Sequence, residues 1–490
     1  MVNNINGFNH ERTAFYTLTI LSTLFLFYIL YITDSNYTFD ESDGVWHYLI
    51  PRYSYLNPSF ELDLWAKPVF TIIAAPFAQF GLKGIHFMQI LCTFSTNILL
   101  YKIASHFNVK HLWLIPILLI FTPVYFPIIF SGLTEILFAL ILVGGICLVV
   151  KDEWLFATLL FSFLPFARQE GYFIFPLIGT LLILQKKYFC IPLLFCGYIV
   201  ITIYGYSTYH NLAWIINRNP YKGAEDIYGK GDFFFYIDAL EHLLGTSRKL
   251  LFYIGSAFSL ISIGGLIYSY KNTSFFKDKI FHFNFLTLGF IVAFILAESI
   301  FWHFGLFGAL GMHRLIVCIV PLIVLIIIFG INHIDTYAHK FNIQKVFLAL
   351  LILWSVFFVN IVFKQYYWPL ELRGESKSVS KAGNWISEHV AEKRKIIYSH
   401  PFVITAMSLN PYDSKKCAEL FIVEDKAMPE KNINTGDLVI WDSHYSPNEC
   451  KLPLSNLLLN KSFKLLHKVE HASAPLSNET LFEVYIFERI

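Results

Sequence analysis

The sequence predicts a mainly α protein: a polytopic transmembrane helix bundle of about eleven spans with a small C-terminal α/β domain. Three observations carry this. Of 490 residues, 56% are hydrophobic, 18% aromatic and only 15% charged. A soluble protein carries about 25% charged residues, so too few are present to clothe a water-exposed surface. Long apolar runs recur, separated by short loops rich in Lys. After residue 363 the composition turns polar and the apolar runs shorten to strand length.

Apolar runs near the length of a bilayer crossing lie at 13–33, 85–106, 111–130, 136–150, 154–167, 172–184, 189–206, 251–270, 283–300, 315–331 and 346–363. Pro116, Pro123, Pro176 and Pro321 fall inside them, which neighbouring helices tolerate by resatisfying the backbone. The first run lacks a small-residue cleavage site and reads as a retained helix.

Orientation follows from Lys and Arg in short loops. With a cytoplasmic N-terminus, the inner loops carry Lys102, Lys110, Lys151, Lys186, Lys187, Lys271, Lys277, Lys279, Lys340 and Lys345. The outer short loops carry only Arg168 and Arg314. This gives a membrane domain over 1–363, with an outer loop at 34–84, and an extracytoplasmic domain over 364–490. The segment 207–250, which includes Trp214, Tyr221, Tyr228 and Phe233 to Phe235, is also outer. The localisation read from this is the cell's inner (plasma) membrane, multi-pass. Net charge is +2 and no basic tract occurs, which excludes nucleic acid as a partner. Five of seven Cys sit in or near apolar runs as small core residues. Cys417 and Cys450 lie in the polar tail, free or paired according to its compartment.

The tail reads as a helix at 375–393, a strand at 395–399, a helix or turn after Pro401, a strand at 437–441, a helix near 452–459 and strands at 463–469 and 481–487. Alternating elements of this length form a small α/β domain.

The candidate chemistry lies at the predicted outer ends of the helices. The loop after the first span reads Phe39-Asp40-Glu41-Ser42-Asp43-Gly44-Val45-Trp46-His47. The bland reading is a solvated cap, with Asp43 as N-cap of a helix from Gly44 to Leu56. Beyond it, Lys67-Pro68 makes a turn into a second surface helix ending at Gly81. Ser131-Gly132-Leu133-Thr134-Glu135 opens an otherwise apolar helix, where a carboxylate suits the N-terminal dipole. Ala167-Arg168-Gln169-Glu170-Gly171 reads as a local Arg–Glu pair or as an anion site. Gly308-Ala309-Leu310-Gly311-Met312-His313-Arg314 places another Arg at a helix end, as a snorkelling anchor or a second anion ligand. Glu298, Trp302 and His303 lie near it in sequence. Carboxylates and guanidiniums gathered on one membrane face can pair a general base with cations for a departing phosphate. No metal motif of diagnostic spacing is present; a divalent cation on the carboxylates is the sole candidate cofactor.

These turns resemble the C-type (GT-C) glycosyltransferase superfamily, and within it the bacterial relatives of protein O-mannosyltransferases and lipid A aminoarabinose transferases. The resemblance rests on Asp40-Glu41, on Lys67-Pro68, on Gly81, on Glu135 after Gly-Leu-Thr, on Arg168-Gln169-Glu170-Gly171 and on Gly311-Met312-His313-Arg314. It covers about residues 13–331 by architecture, and the tail only in kind. Two turns depart from the family pattern: Val69-Phe70 replaces Pro-Leu, and Gln169 replaces Pro.

The resemblance implies a polyprenyl-phosphate-linked sugar donor lying in membrane lipid, and transfer to a hydroxyl of a glycan, lipid or protein acceptor. The catalytic acids would be Asp40, Asp43 and Glu41. Asp40 is favoured as the base by its acidic neighbour, and Asp43 by its spacing to His47. Lys67, Arg168 and Arg314 would bind the donor phosphate, with His47, Glu135, Glu170 and His313 in support. The rival reading is a transporter or flippase, which requires ionisable groups at helix midpoints and an internal repeat. A membrane sensor would leave the acids of the first loop unexplained. The sequons at 36–38 and 478–480 fall on the outer side.

Overall fold

The structure is a computed structural model describing residues 2–221, 229–269, 273–306, 309–372, 374–390, 394–469 and 482–490. Of the residues singled out above, Tyr228, Lys271, Gly308 and the sequon at 478–480 lie outside the described residues. The chain forms two compact units. The membrane unit comprises Met1–Thr33 and Ile50–Pro369; the α/β unit comprises Asp34–Leu49 and Leu370–Ile490.

Among the described residues of the membrane unit, seven helices are long and apolar enough to cross a bilayer: His10–Ile32, Leu82–His106, Tyr188–Tyr209, Thr246–Ser269, Lys279–Phe304, His313–Lys340 and Gln344–Gln365. Shorter apolar helices run over Pro68–Ala78, Glu135–Val150, Trp154–Ala167 and Gly171–Leu184. His313–Lys340 is the core of the unit. Its apolar window is 89% buried, as expected of a helix hydrophobic on every side. Thr246–Ser269 crosses it at a pair of glycines. A Cβ on Gly255 would stand 2.2 Å from the carbonyl oxygen of Ile326, and one on Gly330 would stand 2.8 Å from Gly255 Cα. Helices in lipid gain attraction through such close backbone approach, because apolar side chains alone give them no reason to leave the lipid.

The run at 111–130, expected as one span, is broken. Helical turns over Leu114–Ile120 and Tyr125–Ile128 flank Phe121-Thr122-Pro123. Pro123 has no N–H, so the ladder stops there. The freed carbonyls find donors from elsewhere in the unit. The buried Arg248 guanidinium donates to Phe121 O at 3.0 Å and to Thr122 Oγ1 at 3.3 Å, and Tyr366 Oη donates to Pro123 O at 2.7 Å. The face of the Phe358 ring, 3.3 Å from centroid to Arg248 Cζ, covers the same cation. Sequence reading passed over Arg248, although an Arg opening a predicted outer helix end breaks the charge trend.

The α/β unit holds a five-stranded sheet. Its strands are β1 (Ile396–Tyr398), β2 (Cys417–Glu419), β3 (Leu438–Asp442), β4 (Phe463–Val469) and β5 (Val484–Arg489), in the order β2-β1-β3-β5-β4. β1 is parallel to β2 and β3, while β5 is antiparallel to β3 and β4. Ile397, Val439, Trp441 and Phe487 pack one face with Leu420, Leu452 and Leu457. The helix expected at 375–393 runs over Gly374–His389, and 391–393 lie outside the described residues. β2 was not foreseen: Lys415-Lys416-Cys417-Ala418-Glu419 has no apolar alternation, and an edge strand of three residues needs none. Cys417 and Cys450 are both buried free thiols, so the pairing alternative is not realised.

Candidate active site

The acidic loop belongs to the α/β unit by its contacts. Asp40, not Asp43, acts as its cap. Asp40 Oδ1 accepts from Ser42 N and Gly44 N, each at 3.1 Å, and Thr38 Oγ1 donates to Asp40 O at 3.1 Å. The helix therefore begins at Asp43 and runs to Tyr53, followed by a short turn at Ser54–Leu56. The capping expectation for Asp43 is corrected accordingly. The reason is that the helix starts one residue early, at Asp43, and the N–H of Gly44 in its first turn is taken by Asp40 Oδ1. His47 is buried on this helix, and Glu41 lies in the turn before it.

In the membrane unit the predicted Arg, Glu and Lys residues converge. Glu135 is the first residue of its helix and is wholly buried. Arg168 leaves the short helix Leu164–Ala167 in extended conformation. Gly171 makes this corner: a Cβ there would lie 2.4 Å from the backbone carbon of Leu164. The Arg168 guanidinium is consequently turned inward. Its Nη1 pairs with Glu135 Oε1 at 2.9 Å and donates to Thr134 Oγ1 at 2.8 Å. Its Nη2 and Nε hold Glu170 Oε1 at 2.6 and 3.1 Å. Arg314 Nε approaches Glu135 Oε1 at 3.7 Å. Glu298, buried in its helix, is within electrostatic reach of Arg168 and Glu170.

Lys67 joins the group through its electrostatic interaction with Glu170. It occupies the left-handed region at φ 70° ahead of Pro68, which starts the next helix. Its ammonium donates to Leu64 O at 3.0 Å and Tyr221 Oη at 2.7 Å. Tyr221, from the segment 207–250, thus serves the Lys. His313 stacks on Phe235 at 5.0 Å and meets His242 at 4.6 Å between ring centroids.

Lys67, Glu135, Arg168, Glu170 and Arg314 are therefore one cluster, assembled from loops far apart in sequence. Thr134 and Glu298 complete it, and Glu298 was visible beforehand as a lone acid in an apolar run. The local pair of Arg168 with Glu170 is real, yet it is part of a larger lattice. All three Arg168 nitrogens are engaged, so this cation is fixed rather than waiting. Among the described residues, Glu135 Oε2 and Glu170 Oε2 have no hydrogen-bond donor. A buried acceptor left open costs about 1–3 kcal/mol, so the two oxygens are suited to hydroxyl donors of a ligand. Among the described residues no group of three or more His, Cys, Asp or Glu is arranged to hold a metal.

No protein-family model matches the chain, and no curated protein matches its sequence. The fold nonetheless has solved counterparts. The chain is similar to ArnT from Cupriavidus metallidurans bound to undecaprenyl phosphate, with a TM-score of 0.61 and 8% identity over 97% of this chain and 98% of that one. It is also similar to the archaeal oligosaccharyltransferase AglB from Archaeoglobus fulgidus in complex with an inhibitory peptide and a dolichol-phosphate, with a TM-score of 0.55 and 10% identity over 89% and 70% of the two chains. At these identities the likeness is one of fold. It bears out the fold that the resemblance implied and the mainly helical architecture read from the sequence.

Proposed function

We propose that the protein is a membrane glycosyltransferase that moves a sugar from a polyprenyl-phosphate donor to an acceptor hydroxyl on the extracytoplasmic face of the plasma membrane. The observation that carries this reading is the buried lattice of Arg168, Glu135, Glu170 and Arg314 at helix ends in a C-type fold. The two similar solved proteins are bound to undecaprenyl phosphate and dolichol-phosphate, which supports a polyprenyl-phosphate ligand.

In this mechanism the polyprenyl tail lies in lipid and the phosphate meets preorganised cations. Such charges act most strongly where water is excluded and nothing must reorganise. Lys67 and Arg314 take the phosphate oxygens. Arg168 contributes its charge from a fixed position, and the open oxygens of Glu135 and Glu170 accept sugar hydroxyls. A loop carboxylate, Asp40 ahead of Asp43, removes the acceptor proton. The acceptor oxygen attacks the anomeric carbon, the bond to the phosphate oxygen breaks, and polyprenyl phosphate departs with the electron pair. A single displacement inverts the anomeric centre. Asp40 Oδ1 accepts from Ser42 N and Gly44 N, which fixes the carboxylate.

The test is transfer from radiolabelled polyprenyl-phosphate sugars by purified protein with cell-envelope extract as acceptor source. Asp40→Asn is expected to lower kcat by about 10²–10⁴-fold with donor binding retained. Turnover by wild type that survives both Asp40→Asn and Asp43→Asn removes the loop acids from the mechanism. No turnover with any donor favours a transporter.

A further inference from the structure

The α/β unit has a second feature that its sheet topology makes conspicuous. β1 is parallel to β2 on one side and to β3 on the other. The chain leaves β1 towards β2 and leaves β3 towards the antiparallel pair, so the connections diverge between β1 and β3. In open α/β sheets this divergence opens a crevice at the carboxyl ends of the strands, where ligands commonly bind. Here the strand ends carry Ser399-His400 and Ser443-His444-Tyr445-Ser446.

That end of the sheet is heavily built. Asp442 Oδ1 accepts from Tyr445 N at 2.6 Å, and its Oδ2 accepts from Ser399 and from Ser446 at 3.2 Å. The Tyr445 ring lies between two imidazoles, 4.8 Å from His400 and 4.4 Å from His444. Glu375, opening the helix Gly374–His389, ties them: its Oε2 is 3.0 Å from His444 Nδ1 and 3.6 Å from His400 Nε2. The Tyr445 hydroxyl interacts with the Ser42 side chain, and Tyr445 lies within electrostatic reach of Asp40. Glu449, one turn on, lies within reach of Asp43. Ser42 in turn gives its backbone N–H to Asp40 Oδ1.

We propose that the crevice at the carboxyl ends of β1 and β3 is the seat of the chain's own acid loop, and that Tyr445 is a positioning residue for Asp40, acting through Ser42. The polar tail is then the support of the catalytic loop rather than a separate acceptor-binding module. Tyr445 touches no reacting atom. Its hydroxyl fixes Ser42, whose N–H fixes the carboxylate, and a fixed carboxylate loses less freedom on reaching the transition state. The catalytic half of this proposal rests on the transferase reading above; the docking half does not.

The experiment uses the full chain in detergent and reads two quantities. Hydrogen exchange over 34–49 reports docking whether or not the protein turns over. Tyr445→Phe, which keeps the ring and its two imidazole contacts, is expected to speed exchange in that segment. It is also expected to lower kcat about tenfold, with KM for the donor unchanged. Ser42→Ala is expected to do the same, and the double variant to add little, because both remove one link. If Tyr445→Phe does not fold, Ser42→Ala carries the same expectations alone. Unchanged exchange in a folded variant overturns the docking. Faster exchange with unchanged kcat, or a loss confined to KM, overturns the positioning role. A wild-type protein without turnover ends the transferase reading and the catalytic half together, while exchange still decides the docking.

Discussion

Two clusters in this molecule use the same ingredients in opposite ways. In the membrane unit, Arg168 is clamped by Glu135 and Glu170. In the α/β unit, Glu375 is clamped by His400 and His444. The first has a carboxylate-bound guanidinium that no physiological pH can neutralise. The second has imidazoles in place of a guanidinium, and the one on His444 has its pKa raised by its hydrogen bond to Glu375. The first is nearly sealed, with side-chain exposures of 12% for Arg168 and 0% for Glu135. The second is partly open, with Glu375 at 38%. Burial and the choice of cation together make one cluster permanent and the other adjustable.

The largest expected effect comes from breaking the permanent cluster. Arg168→Ala leaves Glu135 and Glu170 buried without their main cation, and a buried pair stripped of one partner costs about 3–5 kcal/mol. Thermal unfolding of the purified protein is expected to show a large loss. Arg168→Lys is expected to recover only part of it, since an ammonium cannot span Glu135, Thr134 and Glu170 with one planar fork. Full recovery by Lys would reduce the lattice to simple charge pairing.

Next in size is a change that spares charge and attacks packing. Gly255→Val drives a branched side chain into the backbone of the helix His313–Lys340, against the Ile326 carbonyl. Overpacking of this kind costs about 1–3 kcal/mol. The expected loss of thermal stability is smaller than for Arg168→Ala, and equal losses would show that close approach matters as much as the charge lattice.

The smallest expected effect lies in the adjustable cluster and depends on pH. Burial pushes the Glu375 carboxyl up, but hydrogen bonds from His400 and His444 outweigh it and hold the carboxyl at about 2. The hydrogen bond to Glu375 raises the His444 imidazole above its ordinary value, with burial opposing and Asp442 and Glu449 assisting. Stability from the lowered carboxyl is complete above its ordinary value of 4.5 and is lost as pH falls towards about 2. Stability from the raised imidazole is complete below its ordinary value of 6.5 and is lost as pH rises through the raised one. Both are therefore present between about pH 4.5 and 6.5. Protection of the helix Gly374–His389 against hydrogen exchange, taken relative to the free-chain rate at each pH, is expected to be greatest there and to fall at pH 8.5. Glu375→Gln is expected to flatten that profile. A flat profile in the unaltered protein would make the clamp as permanent as the Arg168 lattice.

The legibility of the two clusters differs for a physical reason. Arg168, Glu135, Glu170 and Arg314 stood out in sequence because ionisable groups are rare in apolar runs, and each rarity asked for a partner. Glu375, His400 and His444 sit in a polar tail where such residues are ordinary, so nothing marked them. Local chemistry also misled at the acid loop. Asp43 fits the cap position on spacing alone, and only the folded turn shows that Asp40 occupies it. Likewise 111–130 has the composition of a single span, and its break at Pro123 is stable because Arg248 and Tyr366, distant in sequence, supply the missing donors.

By itself, then, the sequence determined that this chain is built of apolar helices fit for a membrane, that an α/β unit follows them and which turns carry charge. Those properties depend on composition and on periods of a few residues, which any short window displays. Only the tertiary structure decided which charges meet, that Asp40 caps its own loop, and that this loop belongs with the strand ends of a domain more than three hundred residues further on. Such pairings depend on where the chain returns after long excursions. No local signal encodes that return, because the free energy that selects it is spread over the packing of the whole fold.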